Sequence, residues 1–303
     1  MKENLVVQAN ELILATYSMS VKEKEILLSC VSQIDSRPNA PLVTTQTKFV
    51  VTTKQLADVF YNEGNRDNMY RDLKSASQRL FSREVLIKLD GNKELLTRFI
   101  SGVLFEPDDS KITVTFAEDI LPYLTQLSAS FTKYKLREIA ELSSIHSIRL
   151  YELLIYWIGQ FQYSKKFELD EFREIMAIAG KYKQFSQLRE VIDNTITEIN
   201  THTAYMITVE YRKVQRSYVG LTLSFYKKSL AGLQDKKQGL SDEKIDAITR
   251  KTQFIADYND YHRLSYEGKM NTDDFRLEMK GFIKAYPEEF SKRPLTDYLA
   301  AST

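Results

Sequence analysis

The chain has a single cysteine, Cys30, in 303 residues. One thiol excludes an internal disulfide and a cysteine-built zinc site. Its place in an apolar helical pattern marks it as a core thiol rather than a nucleophile. Histidine is scarce too: His146, His202 and His262 lie far apart, and no His-x-His pair exists to hold a metal. No Gly-x-x-x-x-Gly-Lys-Ser/Thr loop occurs, which excludes P-loop nucleotide hydrolysis. The acidic pairs Asp108-Asp109 and Asp273-Asp274 fall in turns or at helix starts, where capping explains them. The case for an enzyme is therefore poor, and no cofactor is expected. No apolar run approaches the roughly 20 residues of a membrane helix. Met1-Lys2-Glu3-Asn4 lacks the cationic-then-apolar layout of a signal peptide. A cytoplasmic protein with no membrane partner is expected.

What is present is enough apolar material, 43% of residues, for packed cores, with 27% charged. The length suits two domains with an appendage. Net charge is only +1, but it is unevenly spread. Residues 1–130 hold 15 Lys and Arg against 17 Asp and Glu, residues 131–230 hold 15 against 11, and residues 231–303 hold 12 against 13. The middle third is the part suited to a polyanion.

That third contains the most informative stretch, Ser186 to Lys228. Leu188, Val191, Ile192, Thr195, Ile196 and Ile199 recur at helical spacing, with Ser186 as a candidate N-cap. The opposite face carries Gln187, Arg189, Asp193, Asn194 and Thr197. Two strand patterns follow, Tyr205–Val214 and Tyr218–Tyr226, joined by the cation-dense turn Arg212-Lys213-Val214-Gln215-Arg216-Ser217. A helix with a polar face followed by a basic-tipped hairpin is the outline of a winged helix. Such a fold lays the helix in the DNA major groove while the wing touches phosphate.

A second such outline lies upstream. Ser20 with Glu23 forms a capping box for a helix carrying Ile26, Leu27 and Cys30. A strand at Lys48–Thr52 leads into a helix at Lys54–Phe60 capped by Thr52 or Thr53, then a helix over Arg66–Phe81. A hairpin of Val85–Leu89 and Leu95–Phe105 and a strand at Lys111–Phe116 complete it. The two regions match in pattern at an offset near 118: Lys48-Phe49 with Lys166-Phe167, Leu56 with Ile175, Leu73 with Val191, and Val85-Leu86-Ile87 with Tyr205-Met206-Ile207; a structural duplication would give this, and so would any two helix–turn–helix units followed by a hairpin. Between them, Ser143-Ser144 starts an apolar helix over Ile145–Phe161. A strand at Lys166–Leu169 then precedes a helix over Glu171–Ala179, capped by Asp170 and ended by Gly180.

Three stretches resemble the iteron-binding replication initiators of plasmids, Rep proteins with two winged helices. They are Phe131-Thr132-Lys133-Tyr134-Lys135-Leu136 with Ile139; Ser147-Ile148-Arg149-Leu150-Tyr151-Glu152-Leu153-Leu154, which is similar to the family's Arg-Leu-Tyr-Glu helix; and Leu188-Arg189 through Glu198-Ile199-Asn200 with Leu223-Ser224-Phe225. The resemblance covers roughly residues 5–230 and is weaker in the first third. It implies an α+β protein of two tandem winged-helix domains. Residues 1–130 would serve dimerisation and auxiliary DNA contact, and residues 131–230 the main DNA recognition. A helical extension of unassigned role, 231–303, would follow. The implied partners are double-stranded DNA (origin direct repeats as monomer, an operator inverted repeat as dimer), the host replicative helicase and the host initiator. The rival readings are a winged-helix transcriptional regulator and, more distantly, a DNA-nicking enzyme using one of 18 tyrosines.

On this reading Arg189, in the first turn of the recognition helix, is the first candidate for base readout, since a guanidinium reaches guanine O6 and N7. A solvated surface arginine would look the same. Ser186, Gln187, Asn194 and Thr197 share its surroundings. Lys181, Lys183, Arg212, Lys213 and Arg216 are candidate phosphate contacts. Arg71, Lys74 and Gln78, with Arg66 and Arg79, line the corresponding helix of the first domain. Arg149 is either a packing residue or a phosphate clamp. In the extension, Ser241–Tyr261 and Asn271–Tyr286 have helical patterns, and their aromatics argue for docking on the body or on a partner rather than disorder.

Overall fold

The computed structural model describes residues 4–300 except 38, 62–67, 128–129, 161, 229–239, 259–275, 277–278, 281–282, 284–289 and 291. It divides into two compact units, residues 1–156 with 169–203 and residues 157–168 with 204–303.

In the first unit, β1 (Leu5–Ala9) pairs antiparallel with β8 (Phe131–Lys135), and α1 (Asn10–Leu14) follows directly. α2 (Val21–Val31) starts at the expected capping box, with Ser20 Oγ accepting from Glu23 N and Glu23 accepting from Ser20 N. Cys30 is buried in this helix, and burial pushes its thiol pKa up, so it is a core residue. β3 (Phe49–Thr52) runs into α3 (Thr53–Phe60) through a second capping box, Thr52 with Gln55. α4 (Met69–Phe81) then begins after Asn68, a residue in the left-handed region. The expected first turn at Arg66 lies outside the described residues.

The strand that the sequence pattern runs from Leu95 to Phe105 is two strands. β5 (Lys93–Arg98) pairs with β4 (Glu84–Leu89), and β4 pairs with the short β2 (Thr16–Tyr17). β6 (Ile100–Glu106) instead pairs with β7 (Lys111–Phe116), which pairs with β3. The chain changes sheet at Phe99, whose buried ring meets Tyr17 edge-on at 5.2 Å. An aromatic anchor inside an otherwise continuous β pattern gives no periodic signal.

α5 (Ile145–Gly159) carries the Arg-Leu-Tyr-Glu stretch, and all four residues are buried. Arg149 donates through Nε to Ile175 O, through Nη1 to Ile13 O and through Nη2 to Ala15 O. Glu152, fully buried, accepts from Lys24 Nζ at 2.8 Å, Tyr134 Oη at 2.7 Å, and Tyr17 Oη and Gln8 Nε2 at 3.4 Å each. Burial alone would raise this carboxyl. The Lys24 cation and the hydroxyl donors outweigh it and hold the group below the usual carboxylate range. α6 (Leu169–Ile175) is shorter than the sequence pattern suggests. It stops because Ala177 turns left-handed; Asp170 lies inside it and accepts from Arg173 rather than capping, and Gly180, also left-handed, continues the turn. α7 (Phe185–His202) completes this unit.

In the second unit, β10 (Tyr205–Val214) and β11 (Ser217–Lys227) form a long hairpin, and β9 (Ser164–Glu168) pairs with β11. Trp157 stacks on Phe225 and tilts against Phe167, both at 5.7 Å. The order β9-β11-β10 repeats β3-β7-β6. The true counterpart of this hairpin is therefore β6–β7, not the Val85–Ile87 strand. Phe49 lies opposite Val114 as Phe167 lies opposite Leu221, so the offset falls from 167 − 49 = 118 to 221 − 114 = 107. The extra residues of the first domain are the inserted hairpin β4–β5.

The extension packs on this unit. α8 (Asp242–Thr249), capped by Ser241, and α9 (Thr252–Tyr258) replace the single expected helix. With α10 (Asp297–Ala300) they build a core of Ile245, Ile248, Phe254, Tyr258, Met279, Ile283, Phe290 and Tyr298 around Tyr163. Most of the expected helix Asn271–Tyr286 lies outside the described residues.

Candidate nucleic-acid interface

α7 buries Leu188, Ile192, Thr195, Ile196 and Ile199 as one stripe. The side chains left exposed are polar: Ser186, Gln187, Arg189, Glu190, Asn194 and Thr197. Gln184 rather than Ser186 occupies the N-cap, so Ser186 sits in the first turn with its hydroxyl not used as a cap. Arg189 Nε lies 3.2 Å from Asp193 one turn later, an exposed pair that a stronger acceptor can compete for. Thr197 Oγ1 donates to Asp193 O at 2.8 Å, which leaves its lone pairs as what it offers a ligand.

Both ends of α7 are held by side chains. In the loop leading into it, Tyr182 is left-handed and its carbonyl accepts from Arg173. The Tyr182 hydroxyl lies 3.2 Å from His146 Nε2, with the two rings edge-to-face. Further along, Glu198 accepts from Ser143 N at 2.6 Å and Ser143 Oγ at 2.7 Å, next to the start of α5. Burial opposes ionisation of this carboxyl, but the hydrogen bonds outweigh it and hold its pKa low. At the C-terminus, His202 Nδ1 meets Glu141 at 2.9 Å. These contacts keep the helix from rolling and fix which side chains its exposed face presents. Lys181 and Lys183 are exposed in the same loop.

The hairpin differs from its sequence outline in one respect that matters. The turn is only Gln215-Arg216, with Gln215 left-handed, so Arg212 and Lys213 belong to β10. As neighbours in a strand the two point to opposite faces, and Arg212, Gly220 and Glu168 lie in register across the three strands. Arg212 pairs through Nη2 with Glu168 on β9 across the intervening strand. It can cross because residue 220 is glycine: a Cβ there would overlap the Phe167 carbonyl oxygen and the Arg212 guanidinium. Lys213 instead stands 4.3 Å over the Tyr218 ring, and Tyr218 meets Tyr211 edge-on. Arg216 is exposed at the turn itself.

On α4, Arg71, Lys74 and Gln78 are exposed, with Arg71 Nε 3.8 Å from Asp72 and Lys74 5.4 Å from the Phe105 ring. Arg79 is committed elsewhere. With Arg83 it binds the buried Glu23 carboxylate at 2.8 and 2.7 Å. Among the described residues no group of three or more His, Cys, Asp or Glu stands close enough to hold a metal ion.

Comparison with known proteins gives this geometry a context. Residues 5–155 match the family model "Initiator Replication protein, WH1", and residues 168–225 match "Initiator Rep protein, WH2". A replication initiation protein of Escherichia coli is 28% identical over 217 residues, covering 70% of this chain and 67% of that one. The crystal structure of Pi initiator protein in complex with iteron DNA superposes with a TM-score of 0.62 at 20% identity, covering 74% of this chain and 98% of that chain. At that identity the likeness speaks for the fold.

Proposed function

The chain belongs to the initiator replication protein family, with its two winged-helix domains, and from that premise we propose that it starts plasmid replication by binding repeated origin DNA sequence-specifically. The observation that carries this reading is α7: a helix fixed at both ends whose exposed face is wholly polar and aimed at no core. Arg189, Gln187 and Asn194 read base edges from that face, and Ser186 and Thr197 assist. Lys181, Lys183, Lys213 and Arg216 contact phosphate. Arg212 braces the hairpin and contributes little charge to DNA, because Glu168 already holds it. Arg71, Lys74 and Gln78 of α4 give the first domain an auxiliary contact.

In this reading monomers open the origin on direct repeats, and the bound protein recruits the host helicase with the host initiator. Dimers joined through residues 1–130 repress the promoter at an inverted repeat. Residues 131–230 are the main reader. The extension, 231–303, keeps one side of the second unit folded. The reaction is one of binding, with no bond made or broken.

A footprint on the DNA flanking the gene tests this. Several protected direct repeats in helical phase, beside an AT-rich tract, are expected. A single protected palindrome would point to a regulator, and a metal-dependent cut in supercoiled DNA to a nicking enzyme.

A further inference from the structure

A cavity of about 160 Å³ lies within the first unit, lined by Tyr17, Lys24, His146, Arg149, Glu152 and Lys181, with Met19, Ile178 and their neighbours completing the wall. Its charges do not balance. Lys24 and Arg149 are 2% and 5% exposed; among the described residues the buried carboxylate that meets them is Glu152, since Glu23 and Glu25 turn to Arg79, Arg83 and Tyr61. Glu152 is bonded by Lys24, Tyr134, Tyr17 and Gln8 and also feels the Arg149 charge, so two buried cations share one carboxylate. Arg149 spends one N–H of each guanidinium nitrogen on a backbone carbonyl, a neutral acceptor, so each terminal nitrogen keeps one N–H to offer. Both cations face the Tyr17 ring, at 5.0 and 5.3 Å, which spreads positive charge without cancelling it. At the mouth, Lys181 is exposed with no described salt-bridge partner, and burial together with the Lys181 charge pushes the half-buried His146 imidazole pKa down. Two buried cations that share one carboxylate carry an uncompensated desolvation cost, and an anion from outside would relieve it.

We propose that this cavity is an oxyanion site that takes a phosphate group, held at its mouth by Lys181 and His146 and from its floor by Arg149 and Lys24. The walls leave room for a tetrahedral oxyanion, and three of its four donors, Lys24, Arg149 and Lys181, are cationic, which suits phosphate. Binding has a consequence for α7. His146 touches Tyr182, and Lys181 and Tyr182 lie in the turn that leads into that helix. An occupied site adds a tie at the start of the recognition helix to those that Tyr182 and the Lys181 N–H to Ile178 O bond already make. The phosphate comes either from a free phosphate compound or from a DNA backbone.

The test uses the full chain and inorganic phosphate, against chloride at equal ionic strength. Phosphate should raise the thermal midpoint beyond chloride and give a saturable calorimetric isotherm. Lys181→Ala should weaken that binding about tenfold, the fold-change that one hydrogen bond to a charged group carries. His146→Gln, which keeps a neutral donor, should weaken it less than His146→Ala. If phosphate also competes with an origin duplex, and Lys181→Ala abolishes the competition, the site takes backbone phosphate. If phosphate binds without competing, the source is a free phosphate compound. Indistinguishable midpoints in phosphate and chloride, or a phosphate effect unchanged in both Lys181→Ala and His146→Ala, would overturn the proposal.

Discussion

The hairpin offers a prediction whose size follows from where each cation points. Three cations crowd its end in sequence, but the structure separates them. Arg212 is held across the sheet by Glu168, whereas Lys213 and Arg216 stand out, Lys213 with its charge intact over Tyr218. Each phosphate neutralised releases counterions worth about 0.9 in the slope of log affinity against log salt. Replacing Lys213 and Arg216 together with alanine should therefore flatten the slope by about 1.8. Over about a fourfold rise in salt, that variant should lose about tenfold less affinity than wild type does. Arg212→Ala should leave the slope nearly unchanged and cost stability instead, at most about 1 kcal/mol for so exposed a pair. Fluorescence anisotropy on one repeat across a salt series measures all three proteins. The ranking of repeat variants should stay the same throughout, because phosphates carry no base identity. An Arg212→Ala slope as flat as that of the double variant would refute the division of roles. An unchanged slope in the double variant would take the hairpin off the DNA.

Other expectations rest on single contacts. Arg189→Ala should cost about 1–3 kcal/mol on the cognate repeat and much less on random DNA, and Asp193→Ala should strengthen binding to both by removing a negative charge from the exposed face of α7; competition assays check this, and equal losses on both DNAs from Arg189→Ala would make Arg189 a phosphate contact. Glu152→Gln leaves Lys24 and Arg149 buried without a carboxylate, so urea unfolding should show about 3–5 kcal/mol lost. Because the folded Glu152 carboxyl titrates below its unfolded value, its contribution is complete above the usual carboxylate range and drains away as pH falls through the folded value. The Lys24 ammonium, raised by Glu152 and Tyr17 despite its burial, contributes below its unfolded value and is lost as pH rises through the folded one. The variant should lack the acid-side component, which urea midpoints measured across pH would reveal. Gly220→Ala should destabilise the second unit by about 1–3 kcal/mol, since the Phe167 carbonyl it would strike is backbone and cannot swing aside; a neutral unfolding curve would show that β9 yields.

Much of this arrangement was legible in the sequence, and the reasons are local. The α7 stripe, the Ser20 and Thr52 caps and the alternation of Leu221, Leu223 and Phe225 are encoded by neighbours a few residues apart. What escaped is non-local. Lys24 sits in a Lys-Glu-Lys-Glu run that looks like a solvated face, yet its partner Glu152 is 152 − 24 = 128 residues away. Arg212 reads as a wing-tip cation until strand pairing sets it in register with Gly220 and Glu168. The Gly220 that lets it pass gave one signal, a glycine inside a strand pattern, which marks close backbone approach. The change of sheet at Phe99 and the inserted β4–β5 hairpin hid the true repeat, because binary pattern does not say which strands pair.

The most direct test of an initiator is replication itself. A plasmid lacking any other origin, carrying this gene and its flanking DNA repeats, is introduced into a suitable host. Stable transformants are expected from the intact gene, and none when Arg189 and Asn194 are both alanine unless wild-type protein is supplied in trans. Failure of the intact gene to sustain the plasmid, with its protein made and binding those repeats, would contradict the account and leave a DNA-binding regulator in its place.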